Sequence, residues 1–355
     1  MGVRVVYQSF EGRYSDSPRA IYEALAGSGR HEHVWLAAAG HAFPAGVKTV
    51  EYGSGECRAA LEAADVVIAN THTDVAWDKR DGTVYLQTWH GTPLKRIHWD
   101  VLWAPEGRLD RLQADVERWD LLVSPNADST PLLERAFRYA GPVLESGYPR
   151  NDRLLAPDRE AVRSRVRREL GLGHEVTVLY APTWRDDAVF PEGGRAFSLG
   201  LDPEEFAARL GDTHRLLVRL HPLVADRAGG LGGACVRDVS RHPEVAELYL
   251  AADVLITDYS SAMFDFAITD KPILLHVHDR EDFEQRLRGL YFDLDAIAPG
   301  PLLHTTEEVL DAVADPSEVA RTHAARLAAF RRRFCHLDDG SATERVIRAV
   351  SGLAA

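Results

Sequence analysis

Apolar, β-rich runs alternate with helical patterns from end to end of the chain, the signature of parallel α/β layers. Residues 3–8, 33–36, 48–52, 65–69, 84–88, 120–124 and 143–146 read as strands. A first helix is opened by Ser17-Pro18 and closed by Gly27-Ser28-Gly29, with proline suited to a first turn and glycine to a C-terminal cap. The turn-rich run Gly147-Tyr148-Pro149-Arg150-Asn151-Asp152 interrupts the pattern, and an arginine-laden helix over 157–170 follows. The pattern then restarts with strands at 177–180, 215–219, 254–257 and 273–276, and with helices at 203–210 and after Asp258.

At about 150 residues per domain, the 355 residues divide into an N-terminal Rossmann-like domain over 1–155 and a second over 156–337. A helix over 338–355 comes last, announced by Ser341-Ala342-Thr343-Glu344, a capping-box pattern. The Gly-rich stretches 186–200 and 225–233 read as mobile surface loops.

Composition narrows the function classes. A net charge of −13, spread rather than blocked, opposes nucleic-acid binding and strong membrane adsorption. Cys57, Cys235 and Cys335 lie far apart with no Cys-x-x-Cys pair, which argues against a disulfide framework and a structural zinc site and fits a reducing cytoplasm. The first residues read directly as a strand, so no signal peptide is expected. No run of about 18 apolar residues is present, so any membrane role is peripheral. Lysine occurs only as Lys48, Lys79, Lys95 and Lys271. Lys95 and Lys271 fall inside the densest motif segments.

Three strand-end segments carry chemistry. Gln87-Thr88-Trp89-His90-Gly91-Thr92-Pro93-Leu94-Lys95 runs off a strand into a turn, where parallel sheets put their ligand sites. An imidazole at His90 can take a proton from an attacking hydroxyl, and Gly91 lets backbone approach a substrate. Arg219-Leu220-His221-Pro222 ends another strand, and alternation puts Arg219 and His221 on one side, a pair suited to phosphate. The alternative there is a plain polar loop stopped by proline. In Thr257-Asp258-Tyr259-Ser260-Ser261-Ala262-Met263-Phe264-Asp265 a strand turns into a helix whose first turn suits an anion. Simple N-capping by Asp258 or Ser260 fits that pattern equally well. Arg150 and Pro182-Thr183-Trp184-Arg185 are further strand-end loops. Asp186-Asp187 and Asp293-Leu294-Asp295 read as solvated carboxylates rather than a cation site. No P-loop, no Gly-x-Gly-x-x-Gly and no His-Glu-x-x-His spacing appears.

Taken in order, these segments, with Ser15-Asp16-Ser17-Pro18-Arg19-Ala20-Ile21-Tyr22, Trp119-Asp120-Leu121-Leu122-Val123-Ser124-Pro125-Asn126, Arg288-Gly289-Leu290-Tyr291-Phe292-Asp293 and Asp338-Asp339-Gly340, resemble the CDP-glycerol glycerophosphotransferase family of teichoic acid synthesis. The resemblance covers nearly the whole chain. It implies an α/β fold of GT-B type, two doubly wound Rossmann-like domains facing a central cleft, with the donor held mainly by the second and the last helix packing back on the first. It implies that His90 and His221 are catalytic. It further implies that His90, Gly91, Thr92, Pro93, Leu94, Arg150, Pro182, Thr183, Arg219, Leu220, His221, Ser260, Ser261 and Asp265 contact the donor.

The function expected from this is transfer of glycerol phosphate from CDP-glycerol to a hydroxyl of a glycopolymer or lipid-linked glycan, with CMP leaving. His90 would be the general base, while His221 with Arg219 and the Ser260-Ser261 turn would stabilise the leaving phosphate. No metal or other cofactor and no nucleic acid is expected. The alternatives are CDP-ribitol or another nucleotide-activated polyol or sugar as donor, and a non-catalytic module that binds donor or glycopolymer. Two departures from the family stand out. The chain starts at the first strand, without the membrane-targeting extension of some members, and His98 stands where glycine is expected, a change that would bear on acceptor choice.

Overall fold

The computed structural model describes residues 2–185, 199–221 and 232–353, in two units. The first comprises Met1–Thr92, Ile97–Leu155 and His336–Ala355. Its strands are β1 (Arg4–Gln8), β2 (Glu32–Ala37), β3 (Thr49–Glu51), β4 (Val66–Ala69), β5 (Val84–Gln87), β6 (Leu121–Ser124) and β7 (Val143–Glu145). They form a seven-stranded sheet in the order β3-β2-β1-β4-β5-β6-β7, parallel throughout. Val6, Val67 and Leu122 pack on one face with Leu61, Trp77 and Phe137. Val5, Tyr7, Ile68 and Val123 pack on the other with Ile21, Val346 and Val350. Burial on both faces is why these strands read as continuous apolar runs rather than as alternating ones.

Val346 and Val350 come from the helix Ala342–Leu353, so this helix completes the core of the first unit. The Asp152 carboxylate accepts the N–H groups of Ala342 and Thr343 at 3.0 and 2.7 Å, an anion at a helix N-terminus. Arg345 donates to the carbonyls of Ser146 and Leu337. At Gly147 the backbone has φ 73° and an added Cβ would lie 2.9 Å from the Leu337 carbonyl oxygen, which is why this turn needs glycine.

The second unit comprises Pro93–Arg96 and Ala156–Cys335. Its strands are β8 (Val176–Tyr180), β9 (His214–Val218), β10 (Val236–Asp238), β11 (Val254–Thr257), β12 (Ile273–His276) and β13 (Leu302–Leu303). They form a six-stranded sheet in the order β10-β9-β8-β11-β12-β13, again all parallel. Phe206, Val309, Leu310 and Val313 pack over Val178, Leu216, Val254 and Leu274. Strand order reverses between β1 and β4 in one sheet and between β8 and β11 in the other, the points beyond which doubly wound sheets hold ligands.

Arg163, Arg167 and Lys271 have a structural duty. Arg163 and Arg167 pair with Asp253 and donate to carbonyls of Leu250 and Ala251. Lys271 donates to the carbonyls of Tyr249, Leu250 and Ala252. These cations close the C-terminal end of the helix Val245–Ala251, where carbonyls gather partial negative charge. Burial there pulls the Lys271 ammonium down to about 8. Most of the stretches read as loops at 186–200 and 225–233, together with Asp186 and Asp187, lie outside the described residues.

Candidate active site

His90 leaves the C-terminal end of β5 on a backbone that the neighbouring strand ends hold tightly. Thr88 N–H donates to the Ala69 carbonyl at 2.7 Å, and the buried Gln87 side chain accepts the Trp89 N–H at 2.8 Å while donating to the Thr71 carbonyl. Trp89 itself takes the left-handed conformation, φ 53°, which turns the chain sharply before His90. The His90 Nδ1 then lies 2.6 Å from the Asn70 carbonyl oxygen. A carbonyl only accepts, so Nδ1 carries the proton and the neutral ring presents Nε2 as an acceptor. Burial drives the His90 pKa down to about 4, which keeps the ring neutral at physiological pH.

Arg150 is 7% exposed and its Nη1 donates to the His90 carbonyl at 2.6 Å and to Asp16 Oδ2 at 2.8 Å. In the first unit the sequence-selected residues His90 and Arg150 are therefore in direct contact, with Gly91 and Thr92 buried beside them in sequence. His98 has φ 48°, a conformation that explains the expectation of glycine and that histidine enters more readily than most side chains. Its ring is buried, stacked on His72 at 5.2 Å, with Nδ1 donating to the Ala136 carbonyl.

In the second unit the loops after β8, β9 and β11 are tied together. Asp258 Oδ1 accepts the Thr183 N–H at 2.8 Å, and Asp258 Oδ2 pairs with Arg185 Nη1 at 3.0 Å. Arg185 also grips Asp279 through Nε and Nη2, at 2.7 and 2.9 Å, and Tyr259 donates to the same carboxylate. The exposed His221 lies against Trp184, with ring centres 5.5 Å apart. Lys95 Nζ donates to Thr183 Oγ1 at 3.4 Å, and Leu94 accepts the Tyr291 N–H at 2.8 Å, so the segment Pro93–Arg96 is built into this unit.

The expected alternation fails after β9, and of the two expected caps after β11 only Ser260 meets a first-turn N–H. Strand β9 ends at Val218, so the two-residue alternation does not extend to Arg219 and His221. Arg219 Nη1 donates instead to the carbonyls of His242 and Val239, and Leu220 is buried with its N–H on Ser240 Oγ. At the turn after β11, Ser260 Oγ accepts the Ala262 N–H at 3.2 Å, whereas Asp258 is engaged by Thr183 and Arg185. Asp265 is 3% exposed within the six-residue helix Ala262–Ala267, and Pro182 is half-buried.

Among the described residues no group of three or more His, Cys, Asp and Glu side chains is arranged to hold a metal ion. Asp293 caps the helix Leu294–Ile297 through the Asp295 N–H, and Asp295 pairs with Arg280 at 2.8 Å. No sequence motif marks Asn70, since its backbone carbonyl makes the contact. Its place just past the end of β4, beside the strand-order reversal, is the one signal that points to it.

A family profile described as CDP-Glycerol:Poly(glycerophosphate) glycerophosphotransferase matches residues 2–352. The teichoic acid glycerol-phosphate transferase of Staphylococcus aureus is 35% identical over 360 residues, covering 98% of this chain and 92% of its own length. The teichoic acid poly(glycerol phosphate) polymerase of Bacillus subtilis is 36% identical over 360 residues, covering 98% of this chain but 48% of its own length, so the chain spans about half of that relative. A solved structure of the wall teichoic acid polymerase TagF matches 99% of this chain and 89% of its own with a TM-score of 0.90 and 32% identity. Another solved form of that polymerase is a His-to-Asn variant soaked with CDPG.

Proposed function

The chain belongs to the CDP-Glycerol:Poly(glycerophosphate) glycerophosphotransferase family, and from that premise we propose that it moves a glycerol phosphate unit from CDP-glycerol to a hydroxyl of a teichoic-acid-like acceptor, releasing CMP. The observation that carries the chemistry is the His90 ring, neutral and fixed by Asn70 with Nε2 as its acceptor. The acceptor oxygen bonds to the phosphorus that bears glycerol, the bond from that phosphorus to the oxygen bridging to CMP breaks, and the hydroxyl proton passes to His90 Nε2. His221 stabilises or protonates the departing CMP phosphate, with Arg219 and the Ser260-Ser261 turn opposing its charge. Gly91, Thr92, Pro93, Leu94, Arg150, Pro182, Thr183, Leu220 and Asp265 complete the donor site in this reading.

The reaction so drawn uses no resident metal or other cofactor, since side chains alone supply the base and the positive charge. Work at the cytoplasmic face of a membrane, by peripheral contact, fits the same reading. Among the described residues no helix is long and apolar enough to cross a membrane. Leu102 and Trp103, 45% and 58% exposed, supply apolar and aromatic surface of the kind that settles at a lipid interface. Sedimentation with anionic vesicles, lost on Trp103→Ser, tests that part.

The central test is CMP release by the purified protein from CDP-glycerol, CDP-ribitol and related CDP-polyols, with and without glycopolymer or lipid-linked acceptors. Acceptor-dependent turnover of CDP-glycerol supports the reading. Preference for CDP-ribitol reassigns the donor, and binding without turnover reduces the protein to a donor-binding module.

A further inference from the structure

Asp16 has no part in the bond changes drawn above, yet it is among the most constrained side chains of the first unit. It opens the helix Asp16–Ala26 with φ 62°, a left-handed conformation uncommon outside glycine, though aspartate enters it more readily than most side chains. It is 4% exposed, its Oδ1 accepts the Ser17 N–H at 2.7 Å and its Oδ2 accepts Arg150 Nη1 at 2.8 Å. Burial alone would raise its pKa, but the Arg150 charge and the hydrogen bonds outweigh burial and keep the carboxyl below its ordinary range.

The Arg150 nitrogen that binds Asp16 is the one that holds the His90 carbonyl. Two more left-handed residues adjoin the same imidazole. Trp89, φ 53°, precedes it, and Phe10, φ 43°, sets its ring 5.4 Å from His90 and its N–H on Asn70 Oδ1. Left-handed backbone gathered around one ring is the pattern of a preorganised site.

We infer that Asp16 is a positioning residue for His90: by fixing Arg150 it holds the His90 backbone so that Nδ1 stays on the Asn70 carbonyl and Nε2 stays presented to the acceptor hydroxyl. The inference rests on the reading of His90 as the base and deepens it. The charged and titratable groups that act on His90 are Asp16, which raises its pKa, and Arg150 and His72, which lower it. Loss of the Asp16 charge therefore moves the His90 titration to lower pH.

The test is Asp16→Asn, which keeps the shape and removes the charge, beside Asp16→Glu and His90→Gln. In Asp16→Asn, kcat for acceptor-dependent CMP release should fall by about ten-fold or more, as a displaced catalytic group requires. CDP-glycerol affinity, to which Arg150 contributes in the donor reading, should fall by less than kcat does, and the acid limb of kcat should move to lower pH. Asp16→Glu, with its charge kept but its carboxylate displaced, should lose kcat while leaving the acid limb in place. It decides the matter alone if the asparagine variant does not fold. Wild-type kcat in the folded variants, or equal losses of kcat and donor affinity with an unmoved acid limb, overturns the role of Asp16. Wild-type turnover by His90→Gln overturns the base assignment itself, a different failure that the parallel measurement keeps separate.

Discussion

The Nδ1 of His90 sits 2.6 Å from the carbonyl oxygen of Asn70, a group that cannot donate. The tautomer is therefore set by main chain, and a ring with Nε2 free of its proton is the resting form. Replacing it, His90→Ala, should lower transfer by about 10²–10⁴-fold, the usual weight of a positioned base, with the fold retained. Turnover at the wild-type rate in a folded His90→Ala protein, measured as CMP release, would remove the imidazole from the mechanism.

The histidines also set an acid limit on stability. Burial depresses His90, His98 and His276 to about 4 each, against about 6.5 in an unfolded chain. Between those values the unfolded state binds more protons than the folded one, so unfolding free energy falls as pH drops from about 6.5 toward 4. Each histidine adds a slope of up to about 1.4 kcal/mol per pH unit. Urea unfolding at pH 7, 6 and 5 checks this. A curve that is flat or rises toward acid contradicts it.

Ser260 and Ser261 separate capping from donor binding. Ser260 Oγ holds the Ala262 N–H, whereas Ser261 has no side-chain cap bond in this turn. Ser260→Ala should thus cost about 0.5–2 kcal/mol of stability. Ser261→Ala should leave the thermal midpoint in place and weaken CDP-glycerol binding by about ten-fold, the loss of one hydrogen bond to a charged group. Calorimetry and donor titration on both variants decide; unchanged donor affinity in Ser261→Ala takes that hydroxyl out of the site.

Arg185 links Asp258 and Asp279, with side chains 16%, 3% and 19% exposed. Truncation to Arg185→Ala strands two largely buried carboxylates and should destabilise the protein by about 3–5 kcal/mol. The double variant Arg185→Met, Asp258→Asn should recover part of that loss. Denaturant midpoints of the two proteins measure it, and a loss under about 1 kcal/mol in Arg185→Ala would mean the carboxylates find water instead.

Turnover should persist in excess EDTA, because the transfer is drawn with side chains alone as base and charge stabiliser. Activity that vanishes in chelator and returns with Mg²⁺ or Mn²⁺ would assign a metal to the reaction.

The legible parts of the chain share a physical cause. Strands β1, β4 to β6, β8, β9, β11 and β12 are buried on both faces, so runs of three or four consecutive apolar residues mark them. Edge strand β10 carries exposed Arg237 and Asp238, and β13 is two residues long, too short for any periodicity to register. The His90 loop was legible because its side chains and glycine differ from the strand before it. The Asn70 contact was not, because a carbonyl looks the same in every residue. The Asp152 cap on Ala342 and Thr343 joins positions far apart in the chain, a pairing that no local pattern encodes.

That cap has a consequence for biosynthesis. The first unit keeps a gap in its core until Val346 and Val350 arrive, and those residues leave the ribosome after the whole second unit. An N-terminal unit would ordinarily fold first during synthesis. Here Val5, Tyr7 and Ile21 must wait for a helix translated more than three hundred residues later, so of the two units the one begun first is the one finished last.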